Sequence, residues 1–511
     1  MQVPLTINDH LDRAATAYAD RPGVIDEPSQ PATPLGTLTY AEVARLAAAQ
    51  AAALDRAGIA PGERVAVVSH NSARLLVALF GVAGSGRVLV PINFRLARAE
   101  IAYIVEHSGA RQLLVDPELE DSLAGLEVER TLVFGRDDDE LYRHGTTPEP
   151  WERDELATAT INYTSGTTAR PKGVQLSHRS LWLNATTLGW HTGVSDRDVY
   201  LHTLPLFHVN GWGMPFAAAA MGVPQVLLRK VDGEEILRRI EQHGVTLLCG
   251  APAVVSMILE AARGREQVPG RGRVRILVAG APPPTRTIER VEVELGWEFL
   301  QLYGLTETSP LLTFNRTRPE WDELTPTERA GRLMRAGPPA LGVQLRTDAT
   351  GQVLARGNHV LEDYWQQPEA TDEALEGGWF HTGDGGTIDA EGSLTIVDRK
   401  KDVIITGGEN VSSIEVEDAL HTHPAVAEAA VIGVPHPKWG ETVKALVVLD
   451  EDHHATTSEE LIEHCRTRLA HYKCPTSIEL REALPRTATG KLQKFKLRED
   501  YWHDQERQVA G

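Results

Sequence analysis

Residues 163–174 read YTSGTTARPKGV, six hydroxyl-bearing or glycine positions in a row with a lysine, Lys172, shortly after them. Backbone amides, hydroxyls and an ammonium in that order suit a loop that wraps a polyphosphate. The loop is not of the Walker A type, because Lys172 is followed by Gly173 rather than Ser or Thr and stands six residues after Gly166. A lone Gly/Ser/Thr stretch is more often a surface turn. What makes this one specific is the order S-G-T-T-x-x-P-K-G. The candidate phosphate contacts are Thr164, Ser165, Gly166, Thr167, Thr168 and Lys172.

Such a loop needs a rigid strand before it, and residues 158–162 are strand-like. Upstream, Thr39 and Glu42 have the spacing of a capping box, and the Ala-rich run 40–54 ends at Gly58, as a helix with start and stop signals does. Residues 64–69 (RVAVVS) then read as a strand, 73–83 as a helix and 87–91 (RVLVP) as the next strand. Strand-like runs return at 245–249, 274–278 and 297–302. This βαβ rhythm predicts an α/β fold of mostly parallel sheets flanked by helices. The polar stretch 136–150 (RDDDELYRHGTTPEP) reads as a surface loop. Beyond Val397 a charge cluster, DRKKD, leads to VIIT and the pair Gly407 and Gly408, a linker and turn into a smaller α+β domain. That domain is expected to hold a helix after Ser412, strands 426–434 and 443–449, and a helix 458–471. The division is thus 1–397 and 398–511.

Composition bounds the function. With 511 residues, 42% apolar and 24% charged, the chain is of ordinary globular make-up. A net charge of −20 disfavours nucleic acid and anionic membranes, which need a basic face. Cys249, Cys465 and Cys474 are odd in number and widely spaced, so they read neither as a disulfide framework nor as a zinc site. No apolar stretch reaches the ~18 residues of a transmembrane segment, and the first twenty residues lack the features of a signal peptide. The terminal QVAG is not the S-K-L peroxisomal address. The expected location is the cytoplasm.

Six further segments, LPLFHVNG (204–211), VAGAPPP (278–284), QLYGLTET (301–308), GWFHTGDGG (378–386), VDRKKDVIITGGEN (397–410) and PRTATGKLQK (485–494), complete the pattern. Together with the phosphate loop they resemble, in order, the motifs of the adenylate-forming superfamily. That superfamily includes acyl-CoA synthetases, peptide-synthetase adenylation domains and beetle luciferase. The resemblance implies ATP, magnesium and coenzyme A as partners of a carboxylic acid, with a large AMP-binding domain and a mobile C-terminal domain that turns about a hinge at Asp398. It implies that Glu307 is the magnesium ligand, and a single carboxylate plus phosphate oxygens is a common way to hold that ion. By the same resemblance Thr306 meets the α-phosphate and Tyr303 stacks on adenine. Gly280 and Ala281 let the base approach, with Gln301 beside them, while Asp384 accepts from the ribose hydroxyls and Arg399 reaches ribose or phosphate. Lys491 resembles the lysine that bridges the substrate carboxylate and the α-phosphate, a purely electrostatic role. His208 resembles the aromatic that gates the acceptor's path, and Gly407 and Gly408 the loop along which a pantetheine arm runs. Outside this context a core tyrosine, a turn aspartate, a core histidine, a solvated charge run or a surface lysine would account for each residue. One departure is Ala169, where relatives usually carry glycine.

No charged residue occurs between positions 204 and 220, so a second charge on the substrate would be buried there without a partner. This favours an apolar acid, a medium- or long-chain fatty or aryl carboxylate. Amino-acid-activating relatives place an aspartate just after the motif's phenylalanine, where this chain has His208 and Val209. Trp212 resembles the aromatic gate of some fatty acyl-CoA synthetases, although such a plug equally suits a short aryl pocket. The alternative acceptors are a carrier-protein thiol supplied in trans, an amine or another small nucleophile. A non-catalytic nucleotide binder is disfavoured by the joint presence of Lys172, Glu307, Asp384 and Lys491. A homodimer is left open.

Overall fold

The computed structural model describes residues 1–164, 171–399, 402–406, 409–453, 455–487 and 492–502. An eight-stranded sheet runs in the order Leu311–Asn315, Glu298–Gly304, Arg275–Val278, Leu247–Gly250, Tyr200–His202, Gln225–Leu227, Pro22–Ile25, Thr37–Thr39. Its inner pairs are parallel and its two edge pairs antiparallel. A six-stranded sheet has the order Arg130–Val133, Ala110–Val115, Arg64–Val68, Val88–Ile92, Thr158–Thr164, Lys172–Ser177, parallel up to its last pair. Val65, Ala66, Val67 and Val68 are all buried, as strands covered by helices on both faces require. The expected α/β class is therefore realised.

A four-stranded antiparallel sheet follows, Gln344–Thr347, Gln352–Arg356, Phe380–Ile388 and Leu394–Arg399. The smaller C-terminal part is built on a five-stranded sheet whose long pair is Val426–His436 with Gly440–Leu449. The helix Ser413–His421 packs Val416 and Leu420 into that sheet's core. Among the described residues no helix is long and apolar enough to cross a membrane.

Local signals translate well where they are strong. Thr39 caps the helix Tyr40–Arg56, and the Glu42 carboxylate accepts from the Thr39 amide at 2.7 Å in return. Two expectations need correction. The helix from Ser458 stops at Arg466 and resumes only as a short turn at His471–Lys473, because the intervening chain bends to bring Leu469 and Cys474 onto Leu461 and Cys465. The stretch 136–150 is not a plain surface loop. It contains the short helix Asp138–Leu141, with Leu141 and Tyr142 buried, held by the buried Arg74 guanidinium on Asp138 at 2.5 Å. A third difference concerns the charge cluster: Asp398 and Arg399 still belong to the strand Leu394–Arg399, paired with Gly385 and Asp384.

Gly304 ends the strand Glu298–Gly304, second from the edge of the eight-stranded sheet, at a point of close backbone contact. A Cβ there would lie 1.6 Å from the carbonyl oxygen of Pro310. Gly304→Ala must therefore push apart the strand and its antiparallel partner Leu311–Asn315, and is expected to cost more than about 3 kcal/mol. Thermal unfolding checks this, and a wild-type melting temperature would contradict the packing described.

Candidate active site

The strand Glu298–Gly304 carries Gln301 and Tyr303 to one rim of the eight-stranded sheet, and the turn Thr306–Thr308 follows at once. Gln301 is buried beside Val278 of the neighbouring strand, so Gly280 and Ala281 emerge next to it. Gly280 has φ +94°, a left-handed conformation that glycine adopts without strain, and open space where a Cβ would stand. The Gln301 Oε1 is buried and has no partner among the described residues, an acceptor left for a bound group.

Two links join this rim to other sheets. The Tyr303 phenol donates to Asp384 Oδ2 at 2.8 Å. Asp384 is buried on the antiparallel strand Phe380–Ile388, where its amide donates to Thr382 Oγ1 at 3.1 Å. A flat aromatic face and a carboxylate are thereby fixed relative to each other. The second link starts at Glu307, whose Oε1 accepts from the Tyr364 phenol at 2.8 Å. The Lys172 ammonium lies 4.7 Å from the centre of the same ring. Lys172 begins the strand Lys172–Ser177, and its Cα partner Thr164 ends Thr158–Thr164. Burial and the Glu307 carboxylate both push the Tyr364 phenol well above the ordinary range, so it stays a donor at neutral pH.

Among the described residues no group of three or more His, Cys, Asp or Glu converges to hold a metal. Glu307 alone, with one oxygen held by Tyr364, matches a magnesium carried chiefly by phosphate oxygens. Ser165, Gly166, Thr167, Thr168, Gly407, Gly408 and Lys491 lie outside the described residues; the main chain of Arg399 pairs with Asp384.

His208 stands on a separate arm, half-buried, just before five consecutive left-handed residues. Val209, Asn210, Gly211, Trp212 and Gly213 have φ of 46°, 53°, 61°, 61° and 80°. For the non-glycine members this costs about 1–2 kcal/mol each. Buried amides hold the turn in place. Asn210 Nδ2 donates to Thr160 Oγ1 at 3.1 Å, Thr160 Oγ1 donates to Asn162 Oδ1 at 2.8 Å, and Asn184 Nδ2 donates to the Trp212 carbonyl at 3.1 Å. From the other side Asn71 clamps the segment before His208, accepting from the Leu206 amide and donating to the Leu204 carbonyl, both at 2.8 Å. Thr160 and Asn162 sit on the strand Thr158–Thr164, so this arm is held by a strand that also pairs with Lys172–Ser177.

Tyr364, Asn71, Asn162 and Asn184 lie outside the motif segments, and Asn210 stands within LPLFHVNG without a role assigned by it. The only local signal for Tyr364 is an aromatic pair before P-x-x-T, and the asparagines carry none.

The fold agrees with comparisons to known proteins. The family model for AMP-binding enzymes matches residues 11–365, and that for the AMP-binding enzyme C-terminal domain matches residues 415–491. A 2-methylpropanoate–CoA ligase of Humulus lupulus is 36% identical, with 97% of this chain and 95% of that protein covered. A peroxisomal benzoate–CoA ligase of Arabidopsis thaliana is 35% identical, with 97% and 93% covered. The structure of o-succinylbenzoate CoA synthetase from Bacillus subtilis, in complex with its acyl-adenylate intermediate, superposes with a TM-score of 0.82 at 30% identity, covering 96% of this chain and 97% of that one. The chain belongs to the AMP-binding enzymes of the adenylate-forming superfamily. Its relatives place it among the acid–thiol ligases.

Proposed function

We propose that this chain is a carboxylate–CoA ligase that adenylates a compact apolar acid with Mg-ATP and then passes the acyl group to coenzyme A. The observation that carries the reading is the convergence of side chains from three sheets, Lys172 and Glu307 through Tyr364 and Tyr303 with Asp384, around one strand end. In this reading the Tyr303 ring supports adenine, Gln301 Oε1 accepts from the base, and Asp384, oriented by the Tyr303 phenol, takes the ribose hydroxyls. Thr306 donates to the α-phosphate and Arg399 reaches ribose or phosphate. Lys172 and the loop from Thr164 through Ser165, Gly166, Thr167 and Thr168 cradle the outer phosphates. Glu307 would hold magnesium, which neutralises phosphate charge when bound.

A carboxylate oxygen then bonds to the α-phosphorus while the α–β bridge breaks and pyrophosphate leaves. Lys491 offsets the charge gathering on that phosphorus. In the second step the CoA sulfur attacks the acyl carbonyl and AMP departs, along a path gated by His208 and lined by Gly407 and Gly408. Residues 1–397 would form the nucleotide-binding body, and the remainder would turn about Asp398 between the steps.

Two things favour a compact acid over a long chain. The relatives named for 2-methylpropanoate and benzoate act on small acids, and Trp212 is buried in a turn fixed by Asn184. Pyrophosphate exchange over acids of graded length and ring type, with and without CoA, tests the proposal. No exchange with any acid would sink it, and acyl-AMP that accumulates while CoA is ignored would redirect it to another acceptor. Trp212→Gly should relieve the left-handed strain and remove the indole together. It is expected to raise kcat/KM for a medium-chain acid relative to a small one by about tenfold. An unchanged ratio would show that Trp212 does not limit acyl length.

A further inference from the structure

The segment between Gln352–Arg356 and the helix Pro368–Ala374 ties together the two arms of the candidate site. The Leu361 amide donates to the carbonyl of Glu307 at 2.6 Å. Two residues on, the Asp363 carbonyl accepts from Gln175 at 2.9 Å, and the Trp365 amide donates to the Gly173 carbonyl at 2.7 Å. Tyr364 itself forms an antiparallel bridge with Val174. This strap is thus hydrogen-bonded at one end to the turn of the eight-stranded sheet and at the other to the strand that begins at Lys172. Its rotation is limited further by Trp365 Nε1, which donates to the His107 carbonyl at 3.0 Å, and by Thr371 Oγ1, which accepts from the Tyr364 amide at 2.9 Å.

At the middle of the strap the buried Tyr364 side chain meets both chemical groups. Its phenol donates to Glu307 Oε1 and its ring lies beneath the Lys172 ammonium. We propose that Tyr364 is a positioning residue for adenylation, setting the Glu307 carboxylate at a fixed place relative to Lys172 before the nucleotide arrives. The inference rests on the reading of Glu307 and Lys172 given above. A glutamate has several soft torsions, and a cation that must order it as well as bind it is held less tightly. With one oxygen already fixed by a rigid phenol, the other is presented in a single direction. The ring gives Lys172 a face to rest on without neutralising its charge, so the ammonium remains available to phosphate.

The two contacts separate by substitution. Tyr364→Phe removes only the hydrogen bond to Glu307, and Tyr364→Leu removes the ring under Lys172 as well. ATP binding is measured by calorimetry across a magnesium titration and in EDTA. Pyrophosphate exchange and thioester formation from supplied acyl-adenylate are measured alongside. Tyr364→Phe is expected to raise the magnesium concentration for half-maximal ATP binding by about tenfold, without changing ATP binding in EDTA. Tyr364→Leu is expected to weaken ATP binding in EDTA too. Thioester formation, which involves neither triphosphate nor metal, should hold its rate in the Phe variant. An unchanged magnesium curve in Tyr364→Phe overturns the inference, as does a parallel loss in both half-reactions, since a merely structural tyrosine would give that. A wild-type protein that binds no ATP is a different outcome, removing the ligase reading and this inference with it. If the Leu variant does not fold, the Phe variant decides alone.

Discussion

Lys491→Ala is expected to slow adenylation by about a hundredfold or more, the scale on which removal of one preorganised charge acts, while thioester formation from supplied acyl-adenylate stays within a few-fold of wild type. The asymmetry follows from where charge develops. When the acid attacks, negative charge gathers on the oxygens around the α-phosphorus and a cation alongside stabilises the transition state more than the bound ground state. In the second step that phosphate is the leaving group, and the reacting centre has moved to the acyl carbonyl, where a cation beside the α-phosphorus stabilises the transition state less. Leu492, one residue on, pairs with Arg486, and the Arg486 guanidinium holds Glu428 on the long strand Val426–His436 at 2.7 Å. Single-turnover measurement of each half-reaction checks the outcome. Equal losses in both would assign Lys491 to folding or to general nucleotide binding instead.

How much of this site could be read beforehand depended on the range of the interactions. The helix at Tyr40 is specified by Thr39 and Glu42, three residues apart, and the strands by runs of β-branched residues; both signals are local and both translated. The pairing of Tyr303 with Asp384 spans 81 positions and that of Tyr364 with Glu307 spans 57, so neither leaves a periodicity. Tyr303 and Asp384 stand out in the sequence only because their motifs resemble those of a family. Tyr364 leaves no such mark, because EDYWQQP reads as an ordinary polar connection with an aromatic pair. The left-handed turn after His208 was hidden for a related reason. HVNGW holds one glycine, and nothing local requires Val209 or Trp212 to take positive φ. The conformation is imposed by Asn162, Asn184 and Thr160, which arrive from other elements. The overrun of the helix from Ser458 has the opposite cause: its local pattern continues past Arg466, and tertiary packing of Leu469 and Cys474 ends it.

Lys494→Met is expected to destabilise the C-terminal part by about 3–5 kcal/mol, the usual consequence of stripping one partner from a buried charge network. The Lys494 ammonium donates to Ser413 Oγ at 2.5 Å and lies 2.7 Å from Glu417 Oε1. Ser413 in turn donates to Asp398 Oδ2, from its hydroxyl at 2.5 Å and from its amide at 2.9 Å. Asp402 and Arg498 form a second pair at 2.6 Å close by. The main chain of Asp398 is zippered to Gly385 in the large part, whereas its carboxylate is claimed by the first turn of Ser413–His421. One residue therefore joins two bodies, and Lys494 supplies the cation for that joint. Burial pushes the carboxyls of Asp398 and Glu417 up, and although burial also opposes the ammonium, Glu417 and Asp398 outweigh it and keep Lys494 charged. A carboxyl whose folded pKa is raised stabilises the fold when protonated, and that contribution is lost as pH rises through the folded value. Without Lys494 both carboxyls are raised further, so the deficit of Lys494→Met should shrink between mildly alkaline and mildly acidic pH. Adding Glu417→Gln should recover part of it at alkaline pH by removing an unpaired buried charge. Thermal unfolding of the three proteins at the two pH values measures this; a deficit that is the same at both, and unaltered by the second substitution, would mean that Lys494 contributes packing rather than charge.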